Sequence, residues 1–163
     1  MKTSELSEGQ LLEYFSEHIR YEIQMLLNAT VAISNQLRVP NGLEHMPVES
    51  FAIHLRNLIT FLYPYTHRDN DVCATDFFTR AGTWEQIRPS LSSVLKEAKN
   101  RADKEVGHLT TLRQAGTPET KKWDVTNLSR EVMPILKIFC DSADRVKLKT
   151  AFNPIWEHYS RGF

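Results

Sequence analysis

The chain has 163 residues, with 20 basic and 20 acidic side chains and a formal net charge of zero. Its 41% hydrophobic content, with only six glycines and seven prolines, excludes a disordered, collagen-like or low-complexity chain and a strongly basic binder of polyanions. The length favours one domain over residues 1–163, with room for a real core.

The opening MKTSELSEGQ is polar and acidic, which is not the pattern of a secretory signal. From about Ser7 to Leu37, apolar residues at Leu12, Ile19, Ile23, Leu26, Ile33 and Leu37 recur at steps of three, four or seven. That periodicity predicts one amphipathic helix, closed by Pro40 and Asn41-Gly42. A second helix is expected over Pro47 to Tyr63, with Phe51, Leu55, Leu58 and Leu62 inward and Pro64 ending it. Tyr65 to Asp71 reads as an exposed loop, and Val72 to Phe78 as a short helix. Thr83 is the expected N-cap of a turn carrying Trp84 and Ile87.

Pro89 to Leu112 reads as the third strong helix, with Leu91, Leu95, Ala98, Ala102, Leu109 and Leu112 inward and Gly107 weakening it by about 1 kcal/mol. Gly116 to Glu119 is a break. Asp124 to Leu148 is helical in pattern, with Pro134 expected to kink or restart it. The tail from Thr150 to Phe163 is aromatic, with Phe152, Trp156 and Tyr159. No alternating strand pattern, repeat or linker appears. The expectation is an all-α, antiparallel bundle of four to five helices with a long first helix. No apolar run approaches a membrane span, so a cytoplasmic protein without membrane contacts is expected.

Most enzyme signatures are missing from the sequence. The six histidines, at 18, 45, 54, 67, 108 and 158, form no pairs at i, i+3 or i, i+4 and no His-Glu-x-x-His run, so no metal or other cofactor is expected. Cys73 and Cys140 fit no metal or redox spacing and read as small buried hydrophobes. Phosphate-cradling glycine loops and nucleophile elbows are absent as well.

One constellation remains. Arg101 and His108 are seven residues apart, which on a helix leaves them about 20° apart around the axis and two turns apart along it. Glu105 projects between them, and Lys104 lies beside it. A guanidinium in such a groove can grip a phosphate with two parallel hydrogen bonds, and an imidazole can move a proton near neutral pH. The plainer reading pairs Arg101 with Glu105 at i, i+4. Glu22, among apolar neighbours, calls for a cation, and Arg56 or Arg101 is the expected supplier. His54 reads more simply as a satisfied core histidine than as a site residue, with Arg56 and Asn57 reaching outward beside it.

At these residues the sequence resembles the HEPN superfamily, compact helical bundles that are often dimers and often carry Arg-x4-6-His in a helix. The six residues between Arg101 and His108 sit at the long end of that range. Blocks YEIQML, HLRNLITFLY and DVCATDFF are similar to short bacterial proteins of this group. The resemblance implies metal-independent RNA cleavage by attack of the 2′-hydroxyl. Arg101 would stabilise the phosphate and His108 would transfer protons across a homodimer, supported by Glu105, Lys104, Glu22, His54, Arg56 and Asn57. It further implies RNA or a nucleotide as partner, a protein inhibitor, and a toxin–antitoxin or phage-defence setting. Two departures are visible: Ala102 follows the arginine where the family often has a polar residue, and Gly107 precedes the histidine. The alternative is a non-catalytic helical module for dimerisation or partner binding.

Overall fold

Ser7 starts the first helix with a capping box, its hydroxyl accepting from Gln10 N at 3.3 Å while Gln10 Oε1 accepts from Ser7 N at 2.9 Å. Two donors that would otherwise face no partner are satisfied in this way. The protein is described by a computed structural model covering residues 5–65, 68–107, 111–114, 117 and 119–148. His67, His108, Leu109, His158 and the aromatic tail lie outside the described residues. No strand occurs among the described residues, and five helices pack into one bundle.

Helix α1 comprises Glu8–Tyr14 and Arg20–Ser34, joined through a wider π turn at Phe15–Ile19. Ser16 donates back to Leu12 O at 2.8 Å at the entry to that turn, a competition that commonly bends helices. The wide turn shifts the phase of the buried stripe. Leu11, Phe15, Ile19 and Ile23 are buried, whereas Leu12, expected inward, is only half-buried. The helix also ends before Leu37, which is exposed. Gln36 takes a left-handed backbone (φ 49°), and Leu37 N bonds to Ala32 O at 2.9 Å. That is the usual closure of a helix end, here without the glycine that normally marks it.

Helix α2, Met46–Leu62, buries Phe51, Leu55, Leu58 and Leu62 as expected. Its last carbonyl, Leu62 O, accepts from Trp84 Nε1 at 2.7 Å and from Arg88 Nη1 at 3.0 Å. Both donors come from α3, Thr83–Ile87, or the residue just after it. The N-cap of α3 is Gly82, not Thr83, because Gly82 holds φ 78° and Thr83 Oγ1 instead donates to Arg80 O. Among the described residues between α2 and α3 lies a single 3-10 turn, Ala74–Phe77.

Helix α4, Ser93–Arg101, starts later than the sequence suggests. Ser92 caps it by accepting from Leu95 N at 3.1 Å, and 89–92 are not helical. After Arg101 the helix widens into a π stretch, Ala102–Gly107. Helix α5, Val125–Ser142, is capped by Asp124 and runs through Pro134 without a restart. Pro134 is exposed, so water can satisfy the carbonyl it leaves unpaired. Residues 143–148 then turn rather than extend the helix.

The core is aromatic. Phe139 meets Phe61, Phe77 and Trp84 edge-on at 5.1–5.6 Å between ring centroids. The cluster of Phe61, Tyr63, Phe77, Phe78 and Trp84 is therefore core, and Trp84 is fully buried. Thr30 and Ser129 share a buried hydroxyl contact at 2.8 Å that ties α1 to α5.

Candidate functional site

Arg101 closes α4 and turns toward the segment leading into α5. Its Nε and Nη2 donate to the two oxygens of Glu105 at 3.1 and 3.2 Å. Nη2 also donates to Lys121 O at 3.2 Å, and Nη1 to Lys122 O at 3.4 Å. The guanidinium carbon stands 4.4 Å from the centre of the Trp123 ring, and Trp123 packs edge-on to Phe51 in the core. Four of the five N–H groups of the fork are thus engaged and one face is covered. Glu105 is spent in the same contact, and Lys104 is exposed on the neighbouring turn.

The other supporting candidates gather elsewhere. Glu22 Oε2 accepts from His54 Nδ1 at 2.8 Å and from Asn57 Nδ2 at 3.2 Å. The carboxylate can only accept, which assigns the proton to that ring nitrogen. His54 is buried and lies under the edge of Tyr21, the satisfied core histidine that the sequence suggests. The partner of Glu22 is therefore His54 with Asn57, not Arg56 or Arg101. Arg56 points the other way. Its Nε donates to Asp103 Oδ1, while Lys99 Nζ donates to Asp103 Oδ2 at 2.9 Å.

Glu22, Asn57, Arg56, Lys99 and Asp103 all line one open cleft of about 610 Å³ between α1, α2, α4 and residues 64, 68 and 70–73. His18 stands on the same cleft, its ring 4.7 Å from that of Tyr14. The site that the sequence divides among several helices is thus two places: a braced Arg101 and a polar cleft. Both wide turns face the cleft, one supplying His18 and the other Asp103. Such turns are rare and concentrate at functional sites.

The electrostatics of the cleft follow from its pairs. Burial works against the charge of Asp103, but hydrogen bonds from Arg56 and Lys99 outweigh it and hold the carboxyl below its ordinary range. Cys73, also on the cleft, has its thiol pushed up to about 12 by burial and by Asp76 and Asp71, which removes it as a nucleophile. Tyr14 is raised too, first by burial and then by Glu22. Among the described residues no group of three or more His, Cys, Asp or Glu is placed to hold a metal ion.

The sequence pattern does not single out Lys99 or Asp103 as site residues, and it offers His18 only in a weaker metal- or ligand-binding set with Glu22, Glu49, His54 and His108. One signal is present in the sequence: Lys99/Asp103 and Arg101/Glu105 are two i, i+4 pairs along the same stretch. Compared with known proteins, the chain matches no family model, no curated protein and no solved structure.

Proposed function

We propose that this chain is a non-catalytic helical binding module, with the polar cleft as its binding surface and Arg101 as a structural brace. The observation that carries the reading is the engagement of Arg101, which donates to Glu105 and to the carbonyls of residues 121 and 122 while stacking on Trp123. An arginine that stabilises a reacting phosphate must present free donors to it, and here four donors are already spent within the fold. The cleft, by contrast, is open and of ligand-binding size.

The test is metal-free incubation of wild type and Arg101→Gln with structured and single-stranded RNA. The reading expects no products ending in 2′,3′-cyclic phosphate from wild type, and a lower melting temperature for the variant. If wild type yields such products while Arg101→Gln is inactive and equally stable, the ribonuclease expected from the HEPN resemblance replaces it.

A further inference from the structure

The cations of the cleft are arranged unlike the other ion pairs among the described residues. Elsewhere on the described surface, Lys137 pairs with Asp141 and Arg101 with Glu105, one cation to one carboxylate. In the cleft Arg56 and Lys99 share a single carboxylate, Asp103. At that carboxylate two positive groups meet one negative. The wall of the cleft also carries Arg68, Asp71 and Glu22, and Glu22 is taken by His54 and Asn57.

Geometry adds to the charge. Asp103 engages Arg56 through Nε, and the two Nη groups have no partner among the described residues. Lys99 Nζ uses one proton on Asp103 and keeps two. Asp103 therefore holds both side chains in place, so less freedom is lost when their remaining donors close on a ligand. A planar fork beside an ammonium suits a tetrahedral oxyanion, because the fork takes two oxygens in parallel and the point charge takes a third.

The smaller hollow beside Tyr63 and Arg88, about 410 Å³, makes a useful contrast. There Tyr63 Oη donates to Pro89 O, and Arg88 is held by Leu62 O and the Tyr63 ring. Its described lining offers one cation, Arg88, with one carboxylate, Glu85, whereas two cations meet on Asp103 in the cleft.

From these observations we infer that the cleft binds the phosphate group of a small phosphomonoester, held by Arg56 and Lys99 with Asp103 as their positioning residue. The cleft is larger than the anion, and the organic part of the ligand lies toward Tyr14 and His18. This assignment rests on the reading of the cleft as the binding surface.

The test is thermal unfolding and calorimetric titration of the full chain with inorganic phosphate and with glycerol 3-phosphate. Malonate serves as a dicarboxylate and sodium chloride matches ionic strength. The expected result is a saturable rise in melting temperature with both phosphates and none with chloride. Arg56→Gln and Lys99→Gln should each weaken binding tenfold or more, the loss of about one charge-assisted contact. In each variant the remaining cation still pairs with Asp103, and the melting temperature without ligand reports on folding. Three results overturn the assignment: no shift beyond that of chloride, an equal response to malonate, or wild-type affinity in both variants. Arg101→Gln, titrated alongside, separates the two ideas. It binds phosphate normally if only the brace is lost, and RNA cleavage that depends on Arg101 overturns the module reading whatever phosphate does.

Discussion

Replacing Arg101 with alanine removes three kinds of contact at once. The stack on Trp123 at 4.4 Å contributes about 1 kcal/mol for a partly buried ring. The hydrogen bonds to Lys121 O and Lys122 O, at 3.2 and 3.4 Å and on the exposed side, add about 1 kcal/mol together after discounting for solvent. The i, i+4 pair with Glu105 adds roughly 0.5 kcal/mol. The expected loss is therefore about 2–3 kcal/mol, which for a domain of this size lowers the melting temperature by roughly 5–10 °C. Thermal and urea unfolding followed by circular dichroism measure it. Arg101→Lys retains the charge but not the fork or the flat stack and falls between the two. If Arg101→Ala melts within about 1 °C of wild type, the guanidinium braces nothing and the structural reading of this residue is refuted.

Three further outcomes follow from the same reasoning. Thr30→Val leaves the Ser129 hydroxyl buried without its partner and should cost about 1–3 kcal/mol in urea unfolding; adding Ser129→Ala should recover part of that loss, and strict additivity of the two changes would count against the coupling. Asp103 titrates below its ordinary value in the folded state, so its contribution is present above the unfolded-state value near 3.9 and disappears as pH falls through the lower folded-state value. Asp103→Asn should accordingly flatten the acid limb of the stability curve below about pH 4, and an unchanged limb would refute the attribution. Cys73 and Cys140 are buried with raised thiol values, so Ellman's reagent at pH 8 should react with neither in the native protein and with both in urea. Rapid native labelling of one thiol would contradict their burial.

The bundle was legible because helix periodicity survives small errors of phase. Phe51, Leu55, Leu58 and Leu62 follow one stripe along α2, and Leu95, Ala98 and Ala102 do the same on α4. Where the sequence misled, a non-local or unmarked cause was at work. The periodicity places Leu12 inward because nothing in the residues announces the wide turn at Phe15–Ile19. Gln36 stops α1 early in a conformation usually signalled by glycine or asparagine. The candidate site was less legible still. Periodicity places His54, Arg56 and Asn57 on α2, but it does not say which side chain answers which across the bundle. Glu22 found an imidazole and an amide rather than a guanidinium, and Arg56 found Asp103. Those pairings depend on how α1, α2 and α4 are juxtaposed, which no single helix encodes.

The wide turn in α1 makes the cleft sensitive to residue count as well as to residue type. Each residue of a regular helix advances the chain by about 100°. A π turn holds one residue more than the regular turn it replaces. Deleting one residue between Phe15 and Ile19 would therefore let that turn close to a regular one and leave Glu8–Tyr14 in nearly its present phase. Inserting one there would instead rotate Glu8–Tyr14 by about 100° against the rest, carrying Leu11 out of the core and Tyr14 away from His18. Length changes at this point are thus asymmetric in their effect on the wall of the cleft.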